Sequence, residues 1–316
     1  FILIKFYKIL LNHSSYYNNF KSKPVFRLEN GKHILRYDNG KTINIFLPTN
    51  KITFVKNIIS KNIASNNIAR EFLEKIVGLK EPDEISEIRE TIFPLYNNKV
   101  NIDDNKLHIE KIFNLIKNNK NARVNELIDE IKTLKLFYAE NSLDITYKSS
   151  QLYLSSLYSE NATLKSFLQG NKEVLYLSHE YYNILKDNDS ILKMLGFKNE
   201  IKITYGIDAN IEGFDHFIKS MDKEKSLILW DILIDNFGLL EYSDLSNRKS
   251  TCIATKLCKK LSSDIKWLPK NNDNRLYSPT ELLDSDLLAE FFEKSPSKSK
   301  GLIERLAFKK RHTIIA

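Results

Sequence analysis

The chain is poor in the residues that usually announce chemistry or covalent bracing. It has two cysteines, nine glycines and seven prolines in 316 residues. The cysteines, Cys252 and Cys258 in "TCIATKLC", provide no disulfide framework. Read as one helix, their spacing points them in different directions, which suits neither a CxxC redox motif nor a zinc site. A reducing, cytoplasmic setting is expected. No two glycines stand at GxG spacing, so neither a dinucleotide-binding loop nor a kinase-type loop can form. "NGKT" at 39–42 ends like a P-loop, but the glycine such a loop needs would fall on Leu35. A hairpin turn is the better reading. There is no GxSxG, and no SxxK with its partner residues. The histidines, His13, His33, His108, His179, His216 and His312, are singletons without HxH or HxxxH spacing.

Long apolar runs are also missing. No stretch approaches the roughly 18 apolar residues of a membrane span. The opening "FILIKFYKILL" is broken by Lys5 and Lys8, and no small-residue cleavage site follows it. No membrane partner is expected. The first residue is Phe1 rather than Met, which reads as a fragment of something larger.

What is present is ordinary globular composition, 42% hydrophobic and 28% charged, with enough chain for more than one core. Net charge is +8. One source is an acidic partner such as nucleic acid. The other is compositional bias, since Asn, Lys and Ile are all abundant and the basic residues are scattered apart from Lys259-Lys260 and "FKKRH" at 308–312.

"PVFRLENGKHILRYDNGKTINIFLP" at 24–48 predicts a three-stranded β meander. Its strands would be Val25 to Leu28, Ile34 to Tyr37 and Ile43 to Leu47. "ENGK" and "DNGK" each carry Asn-Gly, which suits the two positive φ angles of a type I′ turn. From Ile52 the period becomes helical. Phe72, Leu73, Ile76 and Val77 share one face, and Ile85, Ile88 and Ile92 share the next. Leu127, Ile128, Ile131 and Leu134 line a later helix. The fold class is therefore α+β and predominantly helical.

Several features recur in order. "LEKIVGLK" at 73–80 matches "ILKMLGFK" at 191–198, placing Gly78 on Gly196. Both read as αL helix caps, where glycine takes positive φ without a Cβ penalty. "LIERLAFK" at 302–309 repeats the pattern with Ala307 in the glycine's place, which removes the residue that favours the turn. Short strands, "NIFLP" at 44–48 and "VLYLS" at 174–178, precede the first two caps. Further on, "LKLFYAENSLDITYKSSQLYLSSL" at 134–157 resembles "IKWLPKNNDNRLYSPTELLDSDL" at 265–287. Tyr147 falls on Tyr277 and Leu152 on Leu282 at a constant offset, while Leu136 lies over Trp267. These repeats give two tandem units of helices plus a small β-hairpin, winged-helix-like in order. The divisions are 1–24, a helical lead-in; 25–158, a first unit with the meander; 159–290, a second unit; and 291–316, the start of a third.

Chemistry-bearing clusters are few. "DSD" at 284–286 offers carboxylates to a metal, or caps "LLAEFF". "DKEKS" at 222–226 reads as a turn before a helix. Tyr181, Tyr182, Trp230, Trp267 and Tyr277 offer base-stacking faces, or core. From the residues themselves no catalytic, cofactor-binding or metal-ligating residue is assigned.

"KPVFRLENGKHI", "IFLP", "FLEKIVGLKEP", "LILWDILIDNFGLL" and "WLPKNNDNRLYSPTELLDSDL", in this order, resemble the middle region of large sacsin-like and NO VEIN-like proteins. The resemblance implies an upstream GHKL-type domain that binds ATP and Mg, and a chaperone-like or bacterial defence role. The Asn and the DxGxG loop that hold ATP in that family have no counterpart here. The resemblance thus implies a non-catalytic scaffold that relays the state of the ATPase domain, with other domains of the same chain and a protein client as partners. A nucleic-acid-binding module with winged-helix-like ends is the alternative.

Overall fold

The computed structural model describes residues 2–51, 54–244, 251–273 and 275–309. The fold is predominantly helical α+β, with its strands gathered into small antiparallel pairs. It divides into two compact units. The first comprises residues 1–150 and 178–196, and the second residues 151–177 and 197–316. The chain therefore leaves the first unit, returns to it, and leaves again.

The first unit opens with α1 (Ile2–Asn12) and a 3-10 turn (Ser14–Asn19). The meander becomes two separate hairpins, β1 (Phe26–Arg27) with β2 (His33–Ile34), and β3 (Tyr37–Asp38) with β4 (Lys41–Thr42). The expected middle strand breaks at Arg36, because the N–H groups of Arg36 and Tyr37 both turn to the carbonyl of Lys21. Only the second turn is type I′, with positive φ at both Asn39 and Gly40. In the first, Gly31 alone is positive. The "NGKT" segment is this second hairpin.

Residues 54–60 are not helical, and Ile52 and Thr53 lie outside the described residues. Helices α2 (Lys61–Ala64), α3 (Asn67–Lys75) and α4 (Glu84–Glu87) follow, the last widening into a π-helical turn at Ile88–Ile92. A 3-10 turn (Phe93–Asn97) leads to α5 (Ile102–Asn118), α6 (Ala122–Thr133) and the hairpin β5 (Phe137–Ala139) with β6 (Ser142–Tyr147). The abundance of Asn has a local use here. Asn66, Asn101 and Asn121 each accept a backbone N–H at a helix start, which satisfies donors the helix leaves open. One core joins Tyr7, Phe26, Phe72 and Leu79, with the Tyr7 and Phe72 rings stacked at 4.9 Å.

The second unit begins with a bridging strand around Tyr153 and α7 (Ala162–Leu168). Residues 178–196 return to the first unit with α8 (Tyr182–Leu185) and α9 (Asp189–Met194). The second unit resumes with β7 (Ile203–Thr204), β8 (Asn210–Ile211), α10 (Phe214–Phe217) and α11 (Lys223–Asp235). Then come β9 (Glu241–Asp244), β10 (Thr251–Ala254), α12 (Lys256–Lys259), β11 (Leu268–Pro269), β12 (Leu276–Tyr277), α13 (Glu290–Glu293) and α14 (Pro296–Arg305). Cys252 is exposed on β10 and Cys258 is buried on α12, so the two do not share a helix. Trp230, Trp267, Phe291 and Leu302 form the centre of this unit's core.

The same hairpin and closing lysine occur three times along the chain, and the crossing strand between them twice. Phe26 faces Ile34, Phe137 faces Tyr147, and Leu268 faces Tyr277, each pair across its hairpin. The residue before each hairpin is met from the helix ahead. Tyr7 bonds the carbonyl of Val25 at 2.6 Å, Asn105 that of Leu136 at 2.8 Å, and Trp230 lies 6.1 Å from Trp267. A crossing strand follows. Phe46 bonds Asn57 and Ile59, and Tyr153 bonds Leu175 and Leu177, with the same donor order. Phe46 is therefore the counterpart of Tyr153. "VLYLS" corresponds to "NIIS" at 57–60 rather than to "NIFLP".

Each copy ends on a helix cap. Gly78, Gly196 and Ala307 all have positive φ, so the alanine keeps the turn that its Cβ disfavours. The lysine two residues on closes the element. The carbonyl of Lys80 accepts from Leu47, that of Lys198 from Leu154, and the N–H of Lys309 donates to Leu282. Arg311 and His312 lie outside the described residues.

Candidate functional site

The sequence-flagged groups take structural positions. "DSD" forms a 3-10 turn in which Asp286 accepts the N–H of Leu283 at 2.9 Å and pairs with Lys270. Asp222 of "DKEKS" caps α11 through the N–H of Lys225. Among the described residues, no group of three or more His, Cys, Asp or Glu side chains converges as a metal site would require.

Of the aromatic residues that would stack bases, Trp230, Trp267 and Tyr181 are buried. Both indole N–H groups are spent inside, Trp267 on the carbonyl of Leu261 at 3.0 Å and Trp230 on Ser299 at 3.2 Å. Tyr277 is half-buried and bonds Asp273. Tyr182 is the most open of the five, at 39% exposure.

A buried polar constellation lies inside the first unit and is centred on Asn105, which is fully buried on α5. Its Nδ2 donates to the carbonyl of Leu136 and to the hydroxyl of Tyr96, both at 2.8 Å. Its Oδ1 accepts from the hydroxyl of Tyr181, which in turn accepts the backbone N–H of Tyr138 at 3.0 Å. The Tyr96 hydroxyl lies 3.2 Å from Nδ1 of His108. Burial pushes the Tyr96 hydroxyl well above its ordinary range, so it stays protonated. Burial also lowers His108, with Lys111 acting the same way and Asp104 opposing.

Sequence reasoning missed Asn105. A signal exists: 105, 109, 112 and 116 follow helical spacing, and the last three are Ile109, Ile112 and Ile116. An Asn on such a stripe is a buried polar group in need of partners.

The second unit has a smaller cluster. The Tyr153 hydroxyl bonds Glu212, Lys198 lies 3.7 Å from the same carboxylate, and its ammonium sits 4.6 Å from the Tyr153 ring centre. Burial and the Glu212 carboxylate both hold the Tyr153 hydroxyl protonated. A cleft of about 700 Å³ near it is lined by Lys172, Glu173, Glu212, His216 and Lys219. Asp215 at this cleft is paired with Lys260, and His216 with the carbonyl of Gln169. Its charged groups are of both signs.

No protein-family model, curated protein or solved structure matches this chain.

Proposed function

We propose that this chain is a non-catalytic, repeat-built coupling region that passes the state of an ATP-binding domain of the same protein to a protein partner. One observation carries the reading: the same hairpin and closing lysine recur three times while the connection between them varies. Asn57 follows Phe46 by 11 positions, and Leu175 follows Tyr153 by 22. In the third copy Leu283 is capped by Asp286, three residues on. A constant frame with variable loops is how repeat scaffolds present different surfaces. The polar side chains of the frame serve caps and internal bonds, which supports a mechanical role over a chemical one. The sacsin-like resemblance supplies the expected upstream partner, an ATPase domain.

The test is hydrogen exchange on the full-length protein with and without Mg-ATP. The expected result is altered protection within residues 136–198. Unchanged exchange throughout this region on saturation with Mg-ATP would overturn the reading.

A further inference from the structure

The Asn105 constellation has a direction. The Leu136 carbonyl can only accept, so Asn105 must present Nδ2 to it, and the same nitrogen donates to Tyr96. The Tyr138 backbone N–H can only donate, so the Tyr181 hydroxyl accepts it and donates to Asn105 Oδ1. The Tyr96 oxygen has then accepted from Asn105, and its own hydrogen is available to His108 Nδ1, 3.2 Å away, when that nitrogen carries a lone pair. Every proton in the line from Tyr138 to His108 is directed the same way. The line closes only if Nδ1 carries a lone pair, that is, if His108 is neutral and protonated on Nε2.

The line also has a mechanical function. Tyr181 belongs to residues 178–196, the segment that returns to the first unit. Asn105 and Tyr96 belong to the part of that unit laid down earlier. We propose that His108 is the catch of a pH-sensitive latch that holds this returning segment onto α5. A proton taken from solvent at Nδ1 converts the acceptor into a donor. The Tyr96 oxygen then faces donors from both Asn105 and His108, and its own hydrogen has no acceptor in the line. A buried network with one member unsatisfied is destabilised as a whole. Tyr181 loosens, and residues 178–196 with it.

The surrounding charges leave His108 as the group that changes. Asp104 and Lys111 face it from its own helix, and Tyr96 faces it from the 3-10 turn at Phe93–Asn97. A second tie between α5 and the returning segment is Lys106 with Glu180 at 3.0 Å. The ammonium bond lowers the Glu180 carboxyl and raises Lys106, so this pair stays charged across the range in which histidine titrates. His179 is exposed beside Glu180 and provides a control. The sign follows from the lowered His108. The contribution is fully present above the ordinary histidine value near 6.5, and is lost as pH falls from there through the lower folded value.

The latch is tested on the whole chain by hydrogen exchange, corrected for intrinsic rates, at pH 7.5 and 5.5. Protection of 178–196 in the wild type is expected to fall at least about threefold at the lower pH. His108→Gln, which keeps a neutral acceptor, should remove the pH response, and His179→Gln should retain it. Should His108→Gln fail to fold, Tyr96→Phe removes the link to the histidine and should flatten the response in the same way. The ¹³Cε1 resonance of His108 should titrate below 6.5. A pH-independent wild type, an undiminished response in His108→Gln or Tyr96→Phe, or a His108 that titrates at or above that value would each overturn the proposal.

Discussion

The backbone N–H of Lys309 bonds the carbonyl of Leu282 at 2.9 Å, as that of Lys198 bonds Leu152 at 2.9 Å. Two leucines set at one offset by their sequence context thus hold the same place in two copies of one element. Leu152 and Leu282 are both buried, and so are Leu136 and Trp267 at the hairpin starts. The caps that deliver the two lysines can be tested directly.

At Gly78 and Gly196 an added Cβ would meet nothing within 4 Å, so an alanine there is penalised by backbone conformation alone. Gly196→Ala should cost about 1 kcal/mol in urea melts. Ala307 already carries this strain at φ 56°. Ala307→Gly should raise stability by up to about 1 kcal/mol. Equal stability of Ala307→Gly and wild type would remove the strain argument.

Trp267 is fully buried and its indole N–H is bonded. Trp267→Ala should cost about 3–5 kcal/mol, in the range of other large-to-small core changes. Salt-dependent DNA binding, if any is measured, should be the same in wild type and in any folded fraction of the variant. Lost binding with unchanged stability would reverse the assignment and favour a base-stacking role.

How much of this was legible in the sequence depended on how local the physics is. The αL caps were legible because one glycine and one apolar neighbour encode them. The Ala307 turn was not, because there the surrounding strand closure at Lys309 overrides the residue's own preference. The two Asn-Gly turns looked alike, yet their loops differ because the first strand pair closes at Leu28 and Lys32 around three residues, one more than the Asn39-Gly40 pair between Asp38 and Lys41. Equating "NIFLP" with "VLYLS" failed for a related reason. Each copy contains two short apolar strands, and pairing alone distinguishes the crossing strand from its partner. Cys252 was placed on a helix because "TCIATKLC" has no breaker, whereas β9 pairs with its first half. Asn105 was overlooked because one polar residue on an apolar stripe does not disturb the period.

Asn105→Ala should be costly for its size. It takes the Oδ1 acceptor from the Tyr181 hydroxyl and removes donors from Tyr96 and the Leu136 carbonyl, all within the first unit. Unfolding should show a loss of about 3 kcal/mol or more. A loss below 1 kcal/mol would mean that water replaces the amide without difficulty.

Cysteine reactivity should differ sharply between the two thiols. Burial pushes Cys258 up and hides it, while Cys252 is exposed. Since the thiolate is the nucleophile, iodoacetamide at pH 8 should label Cys252 in the native protein and reach Cys258 only after denaturation. Peptide mass mapping reads both sites. Early labelling of Cys258 would place it at an accessible surface.

The path of the chain has a consequence for how such a protein is made and inherited. It passes between units after residues 150, 177 and 196. On the ribosome the first unit cannot be finished until Gly196 has emerged, by which time residues 151–177 are already out and waiting for partners as far on as Phe308. A stop codon anywhere between 150 and 196 leaves the first unit incomplete and the second barely begun. A recombination joint placed there divides both units. A break or joint inside 150–196 therefore disturbs both units at once, although each has its own core.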